Sequence, residues 1–474
     1  MLTRLEQPCA ISCRLWASPR RGNARPVGRL PGAGADGGGR GVGGVRVIPF
    51  PGVAGQVAAE EGAGCAVCCG RFFLSERLLQ WRSEFPILER TTYLISNSLG
   101  AMPRGVETKL QEYAETWATR GVRAWEEAWW NLAAEVGTKI GRLIGAPPGT
   151  VSVHPNVTTT QAVISSCFDF TGRRNKIVLS DCEFPSLLYF YRAQAARGAR
   201  IEVVPSEDGL RLPLEAFLAA IDETTLLVPV SYVLFRSACL VEAQAIIERA
   251  HRMGAYVVLD LFQAVGTVPV DVQRLETDFA VGGVLKWLCG GPGVAYLYVR
   301  PDLQGQLRPA FTGWFAHRRP FDFDVGPIEL RDDAFRFLNG TTSIPALYAC
   351  QPGLDIIAQV GVEAIRANSL RQTARLIEGA RARGWCVNTP LDPAERGGTV
   401  SIECPQAREV ERELLARDIL VDYRPGAGIR LSPHFYNRDE ELEYALEQIE
   451  AILRTGAWRR HAAAELARPA APAD

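Results

Sequence analysis

The chain has 474 residues, 47% of them hydrophobic and 22% charged, with a formal net charge of -1. That length allows two to three domain-sized units, and the charge balance gives no reason to expect nucleic acid or a membrane surface as a partner. No run of about 18 apolar residues occurs, so a membrane span is not expected; a cytoplasmic location is the expectation.

Residues 1–72 differ in texture from the rest. Residues 32–44 are glycine-rich, and the first fifty residues hold eight arginines with only Glu6 and Asp36 as acids. An arginine excess suits a transit peptide, but serine is scarce and neither an amphipathic face nor an apolar secretory segment emerges. The stretch reads as a disordered, low-complexity leader, dispensable to the fold. Five of the 12 cysteines (Cys9, Cys13, Cys65, Cys68 and Cys69) fall here. Cys65 and Cys68 have CxxC spacing, but no second ligand pair follows at a zinc-like distance, so no metal site is expected. The other cysteines stand singly in apolar surroundings, as small buried hydrophobes do.

From Leu74 the pattern becomes globular. Helices are expected over Arg104–Trp117 and Glu126–Ile144. A regular alternation then begins, with strand Lys176–Ser180, helix Pro185–Arg197, strand Ile201–Pro205, helix Pro213–Ile221, strand Leu226–Ser231 and helix Val241–Met253. Strands Ala255–Asp260, Phe279–Gly282 and Val294–Val299 follow. Apolar strands separated by amphipathic helices predict a mainly parallel sheet covered on both faces. A long helical stretch, Ala346–Arg383, leads to a smaller α/β unit with strands near Cys386, Val400 and Ile429 and a last helix at Asp439–Leu453. The expected organisation is a large domain over 73–345, a small C-terminal α/β domain over 346–458 and a flexible tail over 459–474.

Ligands of open α/β sheets bind beyond the carboxyl ends of the strands, so the residues that end each strand come first. One apolar strand ends in Asp260, as either a turn aspartate or a functional carboxylate. Lys286 follows in the stretch Val281-Gly282-Gly283-Val284-Leu285-Lys286-Trp287, with Gly290-Gly291-Pro292-Gly293 beyond it. Only four lysines (Lys109, Lys139, Lys176, Lys286) occur among 52 lysines and arginines. A lysine kept in an apolar strand end therefore suggests chemistry that arginine cannot perform, such as condensation with a carbonyl. Lysine and aspartate together fit pyridoxal 5'-phosphate (PLP): the lysine binds its aldehyde and the aspartate keeps its ring nitrogen protonated. Asn156-Val157-Thr158-Thr159-Thr160 opens an apolar helix, and Thr158 and Thr159 are candidate phosphate ligands beside the plainer reading of a helix cap. Phe184 could stack on the ring or pack in the core, and Ser186 starts a helix near the phosphate. Arg430, alone in the apolar strand Gly428-Ile429-Arg430-Leu431, calls for an anion: a substrate carboxylate or a structural salt bridge.

These segments resemble the class V aminotransferase family of fold-type I PLP enzymes. Within it they are most similar to the kynureninases, over about residues 76–455. Four stretches carry the likeness: Tyr93-Leu94-Ile95-Ser96-Asn97-Ser98-Leu99-Gly100-Ala101-Met102-Pro103-Arg104, Phe184-Pro185-Ser186, Gly290-Gly291-Pro292-Gly293 and Thr312-Gly313-Trp314-Phe315-Ala316-His317. The resemblance implies an aspartate-aminotransferase-like fold with a mainly parallel seven-stranded sheet, and a homodimer with shared active sites. It implies cofactor contacts from Gln263, Trp314 and Thr341, the last reaching across from the partner subunit. It also implies substrate contacts from Asn97, Ser98 and His317 beside Arg430. The implied reaction is hydrolysis of the Cβ–Cγ bond of L-kynurenine or 3-hydroxykynurenine to alanine and an anthranilate. Lys286 would take the Cα proton, and water would add to the side-chain carbonyl. This sequence departs from the kynureninase pattern in having Leu234 and Phe235 for an Asn and a phosphate-contacting Tyr, Leu285 for the Tyr before the lysine, and Gln263 for a His. An aminotransferase, or another lyase such as a desulfurase, is the alternative on the same fold. A non-catalytic PLP-binding protein is the remote one.

Overall fold

A computed structural model describes residues 76–466. The expected leader, including Cys65 and Cys68, and residues 467–474 lie outside the described residues.

The strands in chain order are β1 (Thr92–Tyr93), β2 (Val151–His154), β3 (Lys176–Ser180), β4 (Arg200–Val204), β5 (Thr225–Ser231), β6 (Tyr256–Asp260), β7 (Phe279–Gly283), β8 (Ala295–Val299), β9 (Cys386–Val387), β10 (Val400–Glu403), β11 (Ile419–Leu420), β12 (Asp422–Arg424) and β13 (Gly428–Leu431). The large sheet has seven strands in the order β2-β8-β7-β6-β5-β3-β4. It is parallel from β7 to β4, and β8 runs antiparallel to both of its neighbours. Alternate residues of the central strands feed two different cores, as the period of two requires. Val178, Val230, Val257, Leu259 and Ala280 point into one. Ile177, Leu179, Val258, Phe279 and Val281 point into the other. Burial on both faces is why these strands read as continuous apolar runs.

Strand β2 escaped the sequence reading. Its pattern, Val-Ser-Val-His, looks like a surface strand, yet all four residues are buried. The polar pair makes this tolerable because Ser152 Oγ and His154 Nε2 hydrogen-bond each other at 2.9 Å.

A smaller antiparallel sheet, β12-β13-β10-β9, lies over a third core built from Val400, Ile402, Ile429, Leu431 and helices near the C-terminus. The N-terminal segment is stitched to this region. β1 pairs in parallel with β11, and Ile95 bridges Ser432 just past β13. The expected long helical stretch is two helices, Ile344–Val360 and Val362–Ala382. They break at Gly361, whose φ of 85° is one that side-chain-bearing residues avoid. Residues expected to begin a flexible tail form the helix Arg459–Leu466 instead. Arg460 and His461 both anchor it on the buried Glu413. Charge pairing of this kind leaves no apolar periodicity to read. Among the described residues no helix is long and apolar enough to cross a membrane.

Candidate functional site

β6 ends in Asp260, level with Ser231 of β5 and Val281 of β7, and Lys286 lies just beyond the end of β7. The lysine Nζ stands 4.1 Å from the centroid of the Phe262 ring and 5.9 Å from that of Phe184. Burial lowers Lys286 to about 8; Asp260 opposes the shift and Arg430 adds to it. Burial likewise raises Asp260 to about 6, against the pull of the Phe262 N–H, which donates to Oδ1 at 2.8 Å, and of Lys286. A buried carboxylate with so little compensation is costly, and a protonated ring nitrogen would supply what it lacks. An amine near 8 keeps a usable neutral fraction for condensation with an aldehyde. The donor set therefore fits PLP.

Topology puts two helix starts at this same end. β2 is antiparallel to β8, and β8 to β7, so β2 runs with the parallel set. The helices Val157–Ser166 and Pro185–Ala193 follow β2 and β3 and so begin at the carboxyl edge of the sheet, beside Asp260. In the first, Asn156 caps the helix, accepting from the backbone N–H of Thr159 at 2.9 Å and from its hydroxyl at 3.1 Å. Thr158 stays exposed, as does Ser186 in the first turn of the second helix. A phosphate suits such N-termini because their free N–H groups and helix dipole favour an anion. Phe184 is 48% exposed, which rules out the core-packing alternative, and it meets Phe235 edge-on at 5.3 Å. Its position is braced by Glu183, a buried carboxylate that accepts from the backbone N–H and hydroxyl of Ser231. Burial raises Glu183 to about 7.

The turn Ser96–Gly100 connects the two halves of the site. The Gly100 N–H donates to the Leu285 carbonyl at 2.9 Å, and a Cβ there would lie 2.1 Å from the Lys286 carbonyl, so only glycine fits. At its other end the turn meets Ser432, close to Arg430 in sequence. Asn97 is 1% exposed, and neither end of its side-chain amide has a partner among the described residues. Ser98 is half-buried beside it. Gln263 braces the turn: its Nε2 donates to the Asn97 carbonyl, and its Oε1 accepts from the Trp287 indole, each at 3.0 Å. One N–H of that amide is left for the cofactor contact expected of it.

Arg430 is buried and already holds a carboxylate, so the salt-bridge alternative is part of the answer. Its Nε and Nη2 donate to Asp422 at 2.7 and 2.5 Å, and its Nη1 donates to the Phe235 carbonyl. Sequence reasoning missed Asp422, although a buried arginine in an apolar strand always raises the question of its partner. It also missed Phe262, for which the sequence carries no signal beyond nearness to Asp260.

Trp314, His317 and Thr341 form no part of this group of contacts. The Trp314 indole is 41% exposed and lies among Trp130, Phe321 and Phe323; its N–H donates to the Pro320 carbonyl at 2.6 Å. His317 is buried, and its Nδ1 accepts from the Arg319 N–H at 2.9 Å. Thr341 is exposed.

Comparison with known proteins adds the following. The family model for class V aminotransferases matches residues 92–444. The chain is 31% identical to an uncharacterized aminotransferase, YcbU, of Bacillus subtilis, over 78% of this chain and 97% of that protein. It is 31% identical to a kynureninase of Pseudomonas fluorescens, over 81% of this chain and 94% of that one. A kynureninase of Bacillus cereus is 28% identical over the same shares. Among solved structures, the apo cysteine desulfurase of Thermococcus onnurineus superposes with a TM-score of 0.71 at 22% identity, covering 79% of this chain and 98% of that one. The cystine C–S lyase C-DES in complex with cysteine persulfide gives 0.70 at 21%, covering 77% and 98%. At those identities the structural likeness speaks for the fold.

Proposed function

Because the chain belongs to the class V aminotransferase family, whose members use PLP, we propose that it is a kynureninase-like hydrolase. It cleaves the Cβ–Cγ bond of L-kynurenine or 3-hydroxykynurenine and releases alanine and an anthranilate. The observation that carries this reading is the Ser96–Gly100 turn, of the kynureninase-like Asn-Ser-Leu-Gly type. It lies against the Lys286 backbone and offers a buried side-chain amide that has no partner among the described residues.

In this reading PLP, when bound, would supply the electron sink that the chemistry at Cα requires. Lys286 holds the cofactor and then takes the Cα proton, a task for which a neutral amine is required. Asp260 keeps the ring nitrogen protonated. Phe184 would lie over the ring, and Gln263 would contact the cofactor. Thr158, Thr159 and Ser186 hold the phosphate at the two helix starts. Arg430 and Asn97 hold the amino-acid end of the substrate, next to Ser98. Trp314 and Thr341, both exposed in a single chain, serve the phosphate within a homodimer, and His317 approaches the substrate from the same segment.

The second reading, amino transfer, draws on the YcbU match and on Phe235 and Leu285, which remove two phenols from the expected kynureninase set. A desulfurase reading would need a reactive thiol at the site, and the cysteines weighed for it do not offer one. Cys289, Cys350 and Cys404 are all buried, and burial raises each thiol to about 12. Incubation with L-kynurenine, followed by chromatography, is expected to yield alanine and anthranilate in equal amounts. Transfer of the amino group to an added keto acid without carbon–carbon cleavage would replace this reading with the aminotransferase one. A protein that bound PLP but changed no amino acid would fit the idle binder.

The lowered Lys286 also sets a pH dependence for cofactor capture. The neutral amine is the attacking form, so the rate at which apoprotein takes up PLP should be level above about 8. Below that it should fall by about tenfold per pH unit. Stopped-flow absorbance measures this directly; a profile that breaks near the ordinary lysine value would contradict the desolvation argument.

A further inference from the structure

We propose that Asp422 is a positioning residue for substrate binding: it holds Arg430 so that the two N–H groups left on the guanidinium meet the α-carboxylate of an amino-acid substrate. This rests on the reading above that Arg430 is the carboxylate anchor.

Arg430 sits on β13, between β12 and β10, directly opposite Asp422 on one side and Ser401 on the other. Its Cα is thus fixed by sheet pairing on both flanks, and only the side-chain torsions remain free. Asp422 removes that freedom by gripping Nε and Nη2 as a fork. The Phe235 carbonyl takes one N–H of Nη1. A guanidinium has five N–H groups. One on Nη1 and one on Nη2 are therefore left, a pair that can receive a carboxylate with both oxygens. Asp422 is itself shared, because Arg424 approaches it at 3.0 Å. One carboxylate thus sits between two arginines, and Lys286 is close enough to feel all three groups. The pairing sets where Arg430 meets an incoming anion, with Glu411 acting on Asp422 and Arg424 as well. It also spares Arg430 the cost of lying buried and unpaired when no substrate is present.

Charge alone would act in the opposite direction. Removing the charge of Asp422 would leave Arg424 and Arg430 less compensated and should draw an anion more strongly. Geometry separates the two views. In Asp422→Asn the amide N–H groups face the arginine's own donors, the fork is lost, and the guanidinium is free to swing out of register with the substrate.

The test uses the PLP-loaded enzyme, with L-alanine and L-alaninamide as probes titrated by calorimetry. The two differ in the carboxylate that Arg430 would bind. Asp422→Asn is expected to weaken L-alanine by roughly tenfold or more, to leave L-alaninamide unchanged, and to raise KM for L-kynurenine more than it lowers kcat. Asp422→Glu, which keeps the carboxylate but displaces it, should fall between wild type and Asp422→Asn; it carries the test alone if Asp422→Asn does not fold. The proposal is overturned if these variants bind L-alanine as tightly as wild type or more tightly, or if both probes weaken equally. Arg430→Lys keeps the two failures apart. If it leaves discrimination between the probes intact, the anchor reading itself falls. If it abolishes discrimination while the Asp422 variants do not, only the role of Asp422 falls.

Discussion

Replacing Lys286 by alanine is expected to cost at least about 10⁴-fold in kcat, the upper end of what one acid–base group supplies, and to remove the covalent cofactor absorbance with it. The expectation is large because one amine performs two tasks here, holding the cofactor and moving the Cα proton. The other lysines cannot substitute. Lys176 is buried at the amino end of β3 and is tied to Asp222 and Glu202 at 2.7 and 3.1 Å. Lys139 is paired with Asp355 at 2.7 Å, and Lys109 with Glu112 at 2.6 Å on a helix surface. Lys286 has two aromatic rings around it and a nearby carboxylate that is not hydrogen-bonded to it. Borohydride reduction of the PLP-loaded protein, followed by peptide mapping, should place the pyridoxyl group on Lys286. A label on Lys109, Lys139 or Lys176 would remove the basis of the site described here. PLP should still bind the alanine variant, through its phosphate at the helix starts, so cofactor content and absorbance should come apart.

Arg430→Lys is expected to raise KM strongly while leaving the cofactor absorbance unchanged. Truncating one partner of a buried, hydrogen-bonded charge pair costs about 2–5 kcal/mol, and its lower limit corresponds to roughly a thirtyfold loss of affinity. Lysine keeps the charge but cannot form a fork. It would have to choose between Asp422, the Phe235 carbonyl and the substrate, three acceptors that the guanidinium serves at once. Steady-state kinetics with the amino-acid substrate decide the matter. Unchanged KM would mean that Arg430 only ties β12 and β13 to the turn carrying Phe235.

Much of this was legible in the chain alone, for reasons that are local. Strands buried on both faces must be apolar throughout, so β3, β5, β6, β7 and β8 stood out, each with its carboxyl end marked. Lysine scarcity made Lys286 conspicuous, because a residue type that the chain avoids elsewhere was kept where a charge is expensive. Asp260 was visible for the same reason. The Asn-Ser-Leu-Gly turn could be singled out as a motif, although nothing local says what it touches.

Other features depended on which segments meet. β2 was hidden because its polar residues satisfy each other inside the sheet. The helix Arg459–Leu466 was hidden because Arg460 and His461 hold it to Glu413, a contact 47 and 48 residues distant in sequence. Asp422 and Arg430 are eight residues apart in sequence, and only the antiparallel register of β12 against β13 sets them face to face. The third contact of that arginine, the Phe235 carbonyl, comes from 195 residues away. Residue type could announce that a buried guanidinium needs acceptors. Which acceptors it has, and how many of its N–H groups remain for a substrate, is decided by strand pairing and by the packing of one sheet's turn on another, and these depend on contacts that no local stretch of sequence contains.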